Sequence, residues 1–131
     1  MNFRLLLVLA VSVFASGATA QDAKQILTLT KPNWVAVREY DGNDLLYFTN
    51  LLAWRCGVEG IRFAVNGGAV APLEHEPCHA DEAAPNALYS EDILPYLTYP
   101  LGSVQSIRVE VDFPDGSTEV GDYGRSEVAA R

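Results

Sequence analysis

The sequence predicts an all-β fold: a small single-domain antiparallel β-sandwich with one disulfide, a small β-barrel being the alternative. Three observations carry this expectation. About seven short runs alternate apolar and polar residues or are rich in β-branched and aromatic ones, and turn signals separate them. Asn66-Gly67 and Pro114-Asp115-Gly116 each follow an alternating run directly, as hairpin turns do. The chain has 131 residues, 49% of them hydrophobic, which suits one core and one domain.

The elements follow in order. Gln25 to Thr30 (QILTLT) alternates as a half-buried strand does, and Lys31-Pro32-Asn33 interrupts it. Trp34 to Tyr40 (WVAVREY) is β-prone and ends in the turn cluster Asp41-Gly42-Asn43. Leu45 to Cys56 is the most apolar stretch. Leu45, Phe48 and Leu52 also fit helical spacing, but Tyr47 to Asn50 are poor helix formers in succession, so a central strand is expected.

Ile61, Phe63 and Val65 alternate with Arg62 and Ala64, and the chain returns after Asn66-Gly67 through Ala69 to Leu73. Glu74 to Pro95, with Pro77, Pro85 and Pro95, reads as a long ordered loop in which Ser90-Glu91-Asp92 caps a short helical turn. Ile107, Val109, Val111 and Phe113 form the clearest strand. Thr118, Val120 and Tyr123 lie on its return. The tail from about Gly124 to Arg131 is small and polar and is expected to fray. Trp34, Tyr40, Tyr47, Phe48, Trp54 and Phe63 are the expected aromatic core.

In strand count and spacing the chain resembles an immunoglobulin or fibronectin type III module, at the level of architecture. The Trp that lies between two widely spaced cysteines in immunoglobulin domains is missing, because Trp54 precedes both Cys56 and Cys78.

The first twenty residues read as an address. One positive charge at Arg4 precedes the apolar run Leu5 to Ala15, and Ala18-Thr19-Ala20 supplies an A-x-A cleavage site. The run is shorter than the ~20 residues a spanning helix needs. A secretory signal over 1–20 is therefore expected, then one domain over 21–131 with no membrane span, in the periplasm or secreted. In that compartment Cys56 and Cys78 should pair. Their bond closes a loop of about 22 residues, worth ~3 kcal/mol by loop-closure entropy.

Composition excludes several classes. Hydrophobicity is too high for disorder, and the 10 Gly and 7 Pro are ordinary counts. A net charge of -8 argues against a nucleic-acid partner. No basic residue falls between Arg62 and Arg108, while Glu74, Glu76, Asp81, Glu82, Glu91 and Asp92 all do. That segment makes one region of the surface strongly negative, which either serves solubility or forms a docking face for a basic partner or a cation, and Tyr89, Tyr96 and Tyr99 either pack the long loop onto the sandwich or supply contact area. The expected partner-binding residues are Glu74, Glu76, Asp81, Glu82, Tyr96 and Tyr99.

Catalytic signatures are missing: no G-x-S-x-G, phosphate loop, H-E-x-x-H or C-x-x-C occurs, and no catalytic residue is assigned. Asp41 and Asp44 sit beside a turn, where capping and solvation are the usual roles. His75 and His79 lie four apart in the acidic segment and offer possible ligands to zinc or copper, although Pro77 breaks the helix on which they would converge. The leading expectation is an exported, non-enzymatic binding module of the bacterial envelope or periplasm, with another envelope or periplasmic protein as partner and no cofactor. The alternatives are a periplasmic metal-binding protein using His75 and His79, and an enzyme whose site is not evident.

Overall fold

The computed structural model describes residues 20–130. The leader expected over 1–20 lies outside them, apart from Ala20. The first sheet contains β1 (Ala36–Tyr40), β2 (Asn43–Tyr47) and β5 (Tyr96–Pro100), in the order β1-β2-β5. The second contains β3 (Gly60–Val65), β4 (Ala71–Pro72), β6 (Ser106–Asp112) and β7 (Thr118–Gly124), in the order β4-β3-β6-β7. All pairings are antiparallel. Two separate sheets make a sandwich and set aside the barrel. Strands one, two and five adjoin, as do three, six and seven, in the immunoglobulin manner; the fourth pairs with the third rather than joining the first sheet.

Period-two patterning explains the second sheet. Ile107, Val109, Val111 and Phe113 are buried, while Arg108, Glu110 and Asp112 point away from the core. The Asn66-Gly67 turn forms as its sequence implies: both residues have positive φ, 56° and 71°, and Gly68 N–H donates to Val65 C=O at 3.0 Å. In the first sheet Val37, Leu46 and Leu97 form one inward row across β1, β2 and β5. Trp34 and Phe48 are fully buried, and Trp54 and Phe63 pack against them. Two expected core aromatics are not in the core. Tyr40 is 57% exposed, and Tyr47 lies on the outer face beside Tyr96, their rings 5.0 Å apart.

Four elements differ from expectation. The segment read as a first strand is α1 (Ala20–Leu29). Ala23 and Leu27 are its buried positions, four apart, so the operative period is that of a helix. Its last carbonyls are capped: Thr30 N–H and Oγ1–H donate to Ile26 C=O, and the buried Trp34 Nε1–H donates to Leu27 C=O at 2.8 Å. The long apolar stretch is β2 followed by one helical turn, α2 (Thr49–Leu52), which buries Leu51 and Leu52 together. Tyr96–Pro100, read as part of a proline-bearing stretch, is β5. Over residues 125–130 the tail is packed rather than frayed. It forms α3 (Arg125–Val128), buries Val128, and lays Ala129 beside Val37, with Ala130 N–H bonded to Val37 C=O.

An ion pair with a buried carboxylate joins the two sheets. Asp44 is fully buried on β2, and Arg125 enters from the end of β7 with both terminal nitrogens on its carboxylate, at 2.6 and 3.0 Å. The N–H groups of Gly102 and Val104 also donate to Asp44, each at 3.0 Å. The Arg125 guanidinium and these two amides hold the Asp44 carboxyl well below the usual range, against the opposing effect of burial. Its stabilisation is therefore fully present above the ordinary carboxylate range and is lost as pH falls below it. Asp44→Ala leaves two amides without their acceptor and takes the carboxylate from a half-buried guanidinium that keeps only Glu39 and the Val104 carbonyl. It should cost about 3 kcal/mol or more in urea unfolding, whereas Glu74→Ala, on the surface, should change stability by less than roughly 0.5 kcal/mol. Equal effects of the two substitutions would contradict the role given to Asp44.

Candidate functional site

Between β4 and β5 the chain runs from Leu73 to Pro95 without helix or strand. Such a segment has no ladder to satisfy its backbone, so its carbonyls need other donors. Arg55, in a single 3₁₀ turn just after α2, supplies them. Its side chain is fully buried. The guanidinium donates to five carbonyls: Leu52, Glu76, Pro77, Asn86 and Ala87, at 2.6–3.0 Å. Both arms of the loop, at 76–77 and at 86–87, thus close on one planar group.

The counter-charge is Glu76, itself buried, with Oε2 3.4 Å from Arg55. The Glu76 carboxylate also accepts from Tyr89 N–H and Ser90 N–H and lies 2.5 Å from His79 Nε2. These bonds, the Tyr89 amide first among them, pull the Glu76 carboxyl down to about 2, although desolvation opposes them. Beside this cluster Cys56 and Cys78 form the expected disulfide, with Cα atoms 5.0 Å apart. Asn86 Oδ1 accepts from Cys56 N–H at 2.9 Å. A structural disulfide belongs to an oxidising, non-cytoplasmic compartment.

Six acidic and aromatic positions were expected on one partner face, and the structure divides them. Glu74, Asp81 and Glu82 are exposed on the loop. Glu76 is not a surface residue: it sits inside the loop, because an arginine from outside the acidic segment neutralises it. Tyr96 faces outward on β5, half-buried against Tyr47. Tyr99 lies in the inward row of β5 opposite Asp44, packs against the core, and has its hydroxyl pKa raised by burial. It is partly buried against the core rather than displayed on the acidic loop.

The histidines do not converge on an open site. His79 is engaged by Glu76, and His75 Nδ1 meets the Glu76 carbonyl at 2.8 Å. Cys78 sulfur is in the disulfide. Among the described residues no three His, Cys, Asp or Glu side chains group as metal ligands.

What the loop presents is different from what its composition suggested. Leu88, Tyr89 and Leu94 are 38%, 58% and 45% exposed, three large hydrophobic side chains on one loop, and acidic residues surround them in sequence. Tyr89 is also positioned: Glu76 holds its amide, and the His79 ring stands edge-on to its ring at 5.3 Å. Ser90 Oγ accepts from Asp92 and Ile93 N–H, a local turn in place of the expected helical turn. A groove of about 990 Å3 lies elsewhere, between α1 and the β6–β7 turn. Its two charged lining groups, Lys24 and Asp115, are paired with each other at 2.6 Å. Compared with known proteins, the chain matches no family model, no curated protein and no solved structure.

Two outcomes follow from this site. The Tyr89 and Ser90 amide shifts should titrate with a midpoint near 2, where Glu76 protonates, and a midpoint near its ordinary 4.5 would contradict the buried cluster. The stabilisation from Glu76 is present above the ordinary carboxylate range and disappears as pH falls toward about 2. Reduction of the disulfide should lower the melting temperature by on the order of 10 °C. Two free thiols alkylated in the denatured, unreduced protein would contradict the pairing.

Proposed function

We propose that this chain is an exported, non-catalytic binding module of the bacterial envelope, periplasmic or secreted, and that the loop from Leu73 to Pro95 is its partner face. One observation carries the reading: an irregular segment is held by a buried arginine, a buried glutamate and a disulfide while it exposes Leu88, Tyr89 and Leu94. A loop fixed before it meets its partner loses little freedom on binding, so more of the contact energy appears as affinity. Tyrosine on a fixed backbone is well suited to such a contact. The exposed Glu74, Asp81, Glu82, Glu91 and Asp92 give the surroundings a single sign and favour a basic protein surface. The signal-like leader and the disulfide both support a compartment outside the cytoplasm.

The test begins with a partner recovered by crosslinking from the native exported fraction, followed by rate measurements on the purified pair. Replacing Glu74, Asp81 and Glu82 with their amides should slow association and flatten its salt dependence. Tyr89→Ala should instead raise the dissociation rate roughly tenfold or more. Asp115→Asn, in the β6–β7 turn, should do neither. A partner whose binding responds to Asp115 and ignores the loop would place the face elsewhere.

A further inference from the structure

The loop leads straight into β5, and β5 is an unprotected sheet edge. Its bonding to β2 is readable from one contact: Phe48 N–H donates to Pro95 C=O at 2.9 Å, which makes Phe48 and Pro95 a bonded pair. Bonded and non-bonded pairs alternate along an antiparallel ladder. Leu46–Leu97 and Asp44–Tyr99 are therefore bonded, while Tyr47–Tyr96, Leu45–Thr98 and Asn43–Pro100 are not. The absence of an N–H on Pro100 agrees with this. It follows that the N–H and C=O groups of Tyr96 and Thr98 point away from β2, toward the free edge. Among the described residues no backbone bond from elsewhere occupies them.

The other edges differ. β1 carries Arg38 and Glu39, and the C-terminal residues Ala129 and Ala130 cover it at Val37. β4 is two residues long and includes Pro72. β7 carries Glu119 and Asp122. Charge, proline, shortness and cover are the usual guards of an edge. β5 reads YLTYP: it has no charge, its only guard is the Pro100 at its end, and Thr98 is exposed.

We propose that β5 accepts an extended segment of the partner as an added antiparallel strand, bonded through Tyr96 and Thr98, with a basic flank that meets the exposed Glu91 and Asp92. This rests on the reading of the adjoining loop as the partner face, and it specifies the class of ligand. Glu91 and Asp92 precede the Tyr96 end of β5. An antiparallel strand therefore brings its C-terminal flank toward them, and the charge on that flank should be positive. Main-chain bonds supply the attachment, and the flank supplies selectivity.

The probe is a blocked synthetic peptide of alternating threonine and valine ending in lysines, tested by calorimetry against the oxidised protein. It should bind. N-methylation of the residues that face β5 should weaken binding at least tenfold, while N-methylation of the intervening residues should not. Replacing its lysines with glutamates should weaken it to a similar degree. Thr98→Pro removes an N–H that no native bond uses, so the variant should keep its melting temperature and lose the peptide. Failure of the lysine peptide to bind, or binding that survives both Thr98→Pro and N-methylation, overturns the proposal. If such surviving binding falls with Glu91→Gln and Asp92→Asn, the acidic loop stands as the partner face and only the added strand is lost. A dimer that Thr98→Pro dissolves and that refuses the peptide shows the edge pairing with a second copy, which also overturns it.

Discussion

The architecture of the loop side depends on one buried guanidinium. A long segment without helix or strand carries a row of carbonyls and amides that neither sheet can satisfy. Arg55 answers four of those carbonyls at once, at Glu76, Pro77, Asn86 and Ala87, and a fifth at Leu52 of α2, from a position fixed in the turn after α2. A buried positive charge is costly unless it is paired, and Glu76 pairs it. Glu76 then turns outward along the chain and fixes the amides of Tyr89 and Ser90. The chain of dependence thus runs from Arg55 through Glu76 to the exposed Tyr89. The disulfide anchors the same loop through Cys78, next to Arg55 in sequence at Cys56.

A second pair, with its carboxylate buried, performs the corresponding task at the other end of β5. Asp44 and Arg125 connect β2 with the end of β7, and Asp44 also organises the turn at 102–104 that leaves β5. Arg125 reaches on to Glu39 of β1 at 2.9 Å. The placement of β5 as an edge strand is thereby fixed from both of its ends: Pro95 bonds to Phe48 on one side, and the turn after Pro100 is held by Asp44 on the other. With Arg55 buried and Arg125 engaged by Asp44 and Glu39, neither offsets the charge of the loop, and the exposed loop is left acidic.

Much of the sandwich was legible in the sequence, for a physical reason. Period-two burial in β6 and at the end of β7, and the Asn66-Gly67 turn after β3, act over a few residues, so these strands can be read locally. Among the described residues there are seven strands, against the about seven expected, but by exchange. Gln25 to Thr30 satisfies alternation over a short window while its buried Ala23 and Leu27 follow a helix, and β5 is bracketed by Pro95 and Pro100, which disguise it as loop. The fraying expected of the tail fails because Val128 and the Ala130 amide find partners on β1 and in the core, far away in sequence. The site was the least legible part. Asp44, Arg55 and Glu76 look like surface residues in any composition argument, and only their long-range partners bury them. Tyr89 gains its place from a hydrogen bond that its N–H donates to Glu76, which no spacing rule anticipates.

The central claim is that Arg55, rather than the disulfide alone, fixes the loop. Amide hydrogen exchange of the oxidised Arg55→Lys variant tests it directly, because a lysine ammonium keeps the charge and loses the planar fork. The account predicts that protection collapses at Glu82, Tyr89 and Ser90, with the disulfide intact and β6 and β7 still protected. Unchanged protection across the loop in that variant would contradict it and leave Cys56–Cys78 as the sole anchor.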